Sequence, residues 1–437
     1  MTGTTISQLI PFITMPILSR LFTPEEFGLY AFYFSLVTFL VVISTGRYEL
    51  AIPLPKQHSE AWQILLLSFL ILFGFSILTL TTIIIFNSYF LELLNRPQLG
   101  FWLYALPLFI FLTGSYNILT IWLHRMREFG ASANSKVQLS FWENLVTLLM
   151  GLRKNGISFQ NINEKLNTLF TKSNVVLSLN NIGFGGLLIG RLAGLFASSI
   201  YFMFKIKKNI PLDSVWVNKP TMKKLAVEYR DFPRINMPHA VSDELKNSGL
   251  SFTILYFFMD RVLGIYNQTY RLLRAPLGII GSAFGHVFFQ EVAELSYSNQ
   301  PISGLIFRTL KKLFLIALPL FTMIFIFSPW FFTIFLGEKW SDVGVYAQYM
   351  TPWLFVNFIF SPVSQVALVI GKQFAFWMIN LISSILVFAS MIVAGLVFKD
   401  IKSGLIIISI TQVLYSIYMY WWLQKIAKDH DAKNVQV

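Results

Sequence analysis

Long apolar stretches recur along this chain, and they limit what it can fold into more than any other feature. An α-helix needs about 20 mostly apolar residues to cross a bilayer. Such stretches are read at 3–21, 28–52, 61–87, 101–123, 137–152, 175–204, 239–259, 264–290, 313–336, 344–370, 375–398 and 404–424. Two are weaker: 137–152 is short and holds Glu143 and Asn144, and 239–259 opens with Asp243, Glu244 and Lys246. Of the 437 residues, 55% are hydrophobic and only 13% charged, against about 25% charged in a soluble domain. The 44 Phe residues exceed what a soluble core of this size needs, and lipid-facing surface accounts for them. The expected fold is an all-α polytopic membrane protein of about 12 transmembrane helices. Soluble enzymes, DNA-binding proteins and disordered scaffolds are excluded.

The net charge of +13 would suggest a nucleic acid partner in a soluble protein. Here the distribution of Lys and Arg sets orientation instead. The loops after spans 2, 4, 6, 8 and 10, with the C-terminal tail, hold twice as many as the alternate loops. Both termini are therefore expected in the cytoplasm, with the first apolar stretch retained as a span. Nine basic residues fall between Lys205 and Lys246, on the loop joining two six-span halves, where they suit anionic lipid headgroups. No nucleic acid partner is expected. The expected organisation is an N-terminal six-helix lobe at 1–204, a basic cytoplasmic linker at 205–247 running into the next helix, a C-terminal six-helix lobe at 248–424, and a cytoplasmic tail at 425–437.

The halves read as repeats. Gly28-Leu29-Tyr30 opens span 2 as Gly264-Ile265-Tyr266 opens span 8, and the run from Gly100 to Pro107 matches that from Gly344 to Pro352. An even number of spans per half makes the repeat parallel, with a pseudo-two-fold along the membrane normal. Chance is the other reading, since Gly, Tyr and Pro are common at span ends.

Catalytic and metal-binding patterns are missing. Cysteine is absent and the five His residues are scattered, so no metal site, catalytic residue or cofactor is expected. The glycines Gly186, Gly190 and Gly194 recur every four residues within an apolar stretch, a spacing that serves close helix packing rather than phosphate binding. Charges inside spans carry more information, because burying one is expensive unless it lines a wet cavity or is paired. Arg47, Arg191, Arg271 and Arg274 are such charges, and Arg271 and Arg274 share a helix face. Guanidinium stays charged and grips phosphate oxygens bidentately, so these four are candidate substrate-binding residues for an anionic head group. Structural ion pairs, such as Arg47 with Glu49, are the competing reading. Asp243 and Glu244 are either candidate ion-coupling groups inside a span or ordinary loop charges, and Asp243 is placed to pair with Lys246.

Four segments, RLFTPEEFGLYAFYFSLVTFLVVISTGRYELAIPLP (20–55), DFPRINMPHAVSDELKNSG (231–249), LGIYNQTYRLLRAPLGIIGSAFGHVFFQEVAE (263–294) and FLGEKWSDVGVYAQYMTPWLFVNFIFSPVSQVALVIGKQ (335–373), resemble bacterial Wzx-type O-antigen and capsular polysaccharide repeat-unit flippases. That family belongs to the superfamily of MATE exporters and lipid II flippases. The resemblance covers about residues 1–125 and 185–425. It implies a bacterial inner-membrane protein that moves undecaprenyl-diphosphate-linked oligosaccharide to the periplasmic leaflet by alternating access through an Arg-lined cavity. It also implies a setting beside a polysaccharide polymerase and a chain-length regulator. Residues 130–184 depart from it, being more polar than two spans and a short connection require: either 153–174 is an insertion or that part of the sequence is abnormal. A cation-coupled small-molecule exporter is the alternative, and a membrane polymerase or ligase a more distant one.

Overall fold

A backbone in hydrocarbon must satisfy its own hydrogen bonds, and a helix does so within one segment. In the computed structural model, which describes residues 2–155, 183–206, 218–298 and 300–434, every α, 3-10 or π element is helical. The long helices are α1 (Thr2–Leu21), α2 (Pro24–Ser44), α3 (His58–Leu94), α4 (Gly100–Arg125), α5 (Phe129–Lys154), α6 (Gly185–Ile206), α7 (Met237–Tyr297), α8 (Ser303–Leu336), α9 (Ser341–Val363), α10 (Gln373–Val393) and α11 (Ile401–Asn434). Nine helices among the described residues are long and apolar enough to cross a membrane. The protein is thus an all-α polytopic membrane bundle. Helix α3 exposes Leu70, Phe73, Ile77, Leu78, Ile84 and Ile85. An apolar face of that extent would aggregate in water and is what lipid requires.

Three expected spans take a different form. The stretch 28–52 stops at Ser44, because Gly46 (φ 58°) and Arg47 (φ 62°) are both left-handed and a helix cannot pass through two such residues. Arg47 and Glu49 therefore lie beyond the apolar helix, Arg47 in the turn and Glu49 in the short 3-10 helix Tyr48–Ala51 that follows it. The stretches 239–259 and 264–290 fall within one helix, α7, broken at Met259 (φ 75°, ψ 172°). Because α7 begins at Met237, Asp243, Glu244 and Lys246 lie in helix and not in a loop. The stretches 3–21 and 137–152 are helical but fall outside the nine by composition. Their polar groups face protein: Ser140 Oγ donates to Ser7 O at 2.8 Å, and Thr14 Oγ1 to Asn144 Oδ1 at 2.7 Å. Residues 156–174 of the expected insertion, 175–182 of the sixth span, 207–217 of the linker and 435–437 of the tail lie outside the described residues.

The chain divides into two compact units. One comprises Met1–Phe22 with Leu29–Phe252. In it α5 packs against α1 and α6, and α3 against α4. The glycine ridge of α6 does what its spacing predicts, since a methyl at Gly190 would overlap Thr147 Oγ1 and Glu143 O, and one at Gly194 would press on Leu139 O. Arg125, in the last turn of α4, donates to Ile52 O (2.9 Å), Pro55 O (2.7 Å) and Gln57 O (3.3 Å), holding the turn after α2 against the α4 terminus.

The second unit comprises Thr23–Gly28 with Thr253–Val437. Here α8 and α11 each pack on α9, and α10 packs on α11. Ser328 Oγ donates to Gly344 O at 2.9 Å, tying α8 to the start of α9. The first turn of α2 crosses α7 so closely that a methyl at Gly28 would strike Asp260 O, and one at Gly264 would strike Pro24 O. Beside that crossing Arg261 pairs with Glu25 (3.3 Å) and Asp342 (3.6 Å), and Phe27 meets Trp340 edge-on at 5.2 Å.

Candidate transport site

The four arginines divide into paired and open groups. In the first unit α6 presents Arg191 to α5, where its Nη1 reaches Glu143 Oε2 at 2.7 Å. Tyr30 Oη donates to the other oxygen of Glu143 at 3.3 Å, and the guanidinium lies 4.9 Å from the Phe34 ring centroid. Arg191 is thereby neutralised inside the helix bundle, the arrangement a charge in this environment needs. Arg47 lies 3.5 Å from Glu49, whose carboxylate is buried and accepts from Thr45 Oγ1 at 2.5 Å. The ion pair left open by the sequence is present. On α7, Asp243 contacts both His239 (3.3 Å) and Lys246 (3.1 Å), while Glu244 accepts from Ser248 Oγ at 2.6 Å.

Arg271 and Arg274 stand apart. Both are exposed on α7, and among the described residues no carboxylate pairs with either. Arg274 donates to the Tyr270 hydroxyl and lies 5.3 Å from the centroid of that ring. Tyr270 in turn stacks on Tyr266 (6.1 Å, 9°) and on Trp353 of α9 (5.9 Å, 21°). A guanidinium without an acidic partner, held at the edge of an aromatic row, keeps its donors available for an incoming anion.

The row leads to a cavity inside the second unit. Trp353 forms one wall of a space of about 160 Å³ between α9, α10 and α11, with Asn357, Phe360, Asn380, Gln412 and Tyr415 among its other lining residues. None of its lining residues carries a charge. Tyr415 Oη donates to Asn380 Oδ1 at 3.0 Å, and Ser383 Oγ to Gln412 Oε1 at 3.1 Å. The sequence reading weighed charges within spans and so passed over Asn357, Asn380 and Gln412. The overlooked signal is an uncharged amide inside an apolar stretch, which also needs a partner in hydrocarbon.

Among the described residues no group of three or more His, Asp or Glu side chains could hold a metal ion. Two family profiles, each described as polysaccharide biosynthesis protein, match residues 1–151 and 164–344. The succinoglycan biosynthesis transport protein ExoT of Rhizobium meliloti is 24% identical over 357 residues, which cover 77% of this chain and 62% of that protein. The chain thus spans less than two thirds of the length of this curated relative. An inward-facing multidrug resistance MATE family transporter of the MOP superfamily superposes with a TM-score of 0.68 at 11% identity, over 97% of this chain and 95% of that one. A MOP superfamily transporter from Pyrococcus furiosus, described by the reverse polarity of its binding pocket, superposes at 0.53 and 13% identity over 98% and 95%. The fold is similar to that of these MOP-superfamily transporters.

Proposed function

We propose that this chain is an alternating-access transporter of a lipid-linked oligosaccharide, carrying undecaprenyl-diphosphate-linked repeat units from the cytoplasmic to the periplasmic leaflet of a bacterial inner membrane for O-antigen, capsule or a related surface polymer. The observation that carries the reading is Arg274, a guanidinium with no carboxylate partner among the described residues, at the head of an aromatic row that ends in an uncharged polar cavity. A substrate with an anionic diphosphate followed by neutral sugars matches that sequence of surfaces. Both polysaccharide profiles and the succinoglycan transport relative support it. In this reading the chain spans the membrane twelve times in two six-helix lobes, with both termini cytoplasmic. The polyprenyl tail stays in lipid while the head group crosses shielded from hydrocarbon, which removes the cost of stripping water from its hydroxyls and charges. Arg271 assists Arg274, Arg191 joins α6 to α5 through Glu143, Arg47 steadies the turn after α2 through Glu49, and Asp243 with Glu244 provides coupling to an ion gradient. A polymerase and a chain-length regulator would receive the product.

The solved structures favour a second reading on grounds of fold, cation-coupled export of small molecules, because two of them are multidrug resistance transporters. One assay separates the two. Proteoliposomes receive an undecaprenyl-diphosphate-linked oligosaccharide and a non-permeant probe of the sugar's leaflet, or else a fluorescent cationic drug under an ion gradient. The flippase reading expects relocation of the glycan, and a loss in Arg274→Ala of about tenfold to a hundredfold, the worth of one charge-assisted hydrogen-bonding group. Drug movement without glycan movement would establish the exporter.

A further inference from the structure

We infer that the cavity between α9, α10 and α11 is a saccharide subsite, taking a single neutral sugar ring of the glycan whose diphosphate rests on Arg274; the inference deepens the flippase reading and depends on it. Three features define the ligand. First, the lining holds amides, hydroxyls and rings but no charged side chain. An anion would want a guanidinium inside and an organic cation a carboxylate, so the occupant is uncharged. Second, hydrogen-bonding capacity is left over. Asn357 is exposed to the cavity and its amide has no partner among the described residues. Asn380 spends one donor on Phe376 O (3.0 Å) and one acceptor on Tyr415, which leaves a donor and an acceptor free on one amide. That pairing suits a hydroxyl, which both gives and accepts. Third, Trp353 lines the cavity, and the C–H face of a pyranose packs on an indole while its rim reaches the amides.

Size and position agree. The volume of about 160 Å³ holds several waters, since one needs only about 10–15 Å³ on this measure, and it is too small for a whole repeat unit. Trp353 links the cavity to Arg274 through Tyr270 alone, so a sugar near the diphosphate is the one presented. Ser364 and Phe376 of the lining flank the turn at Gly371 and Lys372, on the side that the positive-inside reading assigns to the cytoplasm, from which the substrate loads.

The test is equilibrium binding to the full chain in nanodiscs, using two probes: undecaprenyl diphosphate bearing a disaccharide, and undecaprenyl diphosphate without sugar. Wild type is expected to bind the glycan-bearing lipid more tightly. Asn357→Leu should weaken that lipid about fivefold to tenfold, the loss of one or two hydrogen bonds, and leave the sugar-free lipid unchanged. Arg274→Ala should weaken both. Asn380→Leu, which also removes a tie to Tyr415, serves as the second variant, with its unfolding profile recorded. Equal affinity of wild type for both lipids, or equal loss of both lipids in a folded Asn357→Leu or Asn380→Leu, would overturn the subsite while the flippase reading stands. Binding of neither lipid by wild type would overturn the flippase reading and the subsite together.

Discussion

At the scale of single residues, the chain handles charge inside its helices in two ways. Arg191 is matched by Glu143 at 2.7 Å and enclosed by Tyr30 and Phe34, whereas Arg274 has a tyrosine beside it and, among the described residues, no carboxylate. Removing the partner of an enclosed charge is costly, about 3–5 kcal/mol, while replacing both members by apolar groups is often neutral. Glu143→Leu is therefore expected to lower the thermal unfolding midpoint in detergent sharply, and Glu143→Leu with Arg191→Met to recover most of it. Additive losses would mean that the two side chains do not support each other. The sequence singled out Arg191 but not its partner, because a pairing 48 residues apart depends on how α5 and α6 meet. Glu143 entered the sequence reading only as a blemish on a weak span. The same polar positions that dilute the hydropathy of α5 join it to its neighbours.

Helices, taken as elements, were the most legible level. Each apolar stretch, so far as it is described, lies at least in part within a helix, because length and composition alone decide whether a segment can satisfy its backbone in lipid. Ends and breaks were less legible. Hydropathy runs on through Gly46 and Arg47, yet their left-handed backbone ends α2. Met259 has nothing in its chemistry to announce a break, being a good helix former. At ~1.5 Å per residue an unbroken α7 would be about 90 Å long, three times the hydrocarbon thickness of about 30 Å, so a break was implied, and it falls where one expected span ends at 259 and the next opens at 264. The α6 ridge yields a contrast between two glycines. Gly190→Ala pushes a methyl into Thr147 and the Glu143 carbonyl and should cost about 1–3 kcal/mol as overpacking. Gly74→Ala, in α3 with nothing within 4 Å of the added carbon, should be neutral or stabilise by up to about 1 kcal/mol through reduced chain entropy. Parallel unfolding curves with equal midpoints would contradict this account of α6.

On the scale of the whole molecule, the twelve-span reading and its orientation make one joint prediction, and the absence of cysteine makes it simple to examine. Lys219→Cys falls in the basic linker and Gln98→Cys between α3 and α4, both at exposed positions. A membrane-impermeant thiol reagent should label Gln98→Cys in intact spheroplasts and Lys219→Cys only after permeabilisation. The reverse pattern would invert the topology and with it the proposed loading side. Lys and Arg asymmetry was visible in the sequence because it is a property of loops, independent of packing. The cavity was not visible, since it needs α9, α10 and α11 assembled around it.

The crossing of α2 and α7 has a consequence for how the sequence can change. Gly28 gives up its side chain to the Asp260 carbonyl, one turn before Gly264, and Gly264 gives up its own to the Pro24 carbonyl, one turn before Gly28. The contact is reciprocal, as in an isologous interface, where each partner presents the same patch to the other. A larger residue at either position cannot be accommodated by shrinking the other, because both are already glycine and the obstacle in each case is backbone. No compensating second substitution exists at these sites, so the sequence can drift everywhere around this crossing but not through it.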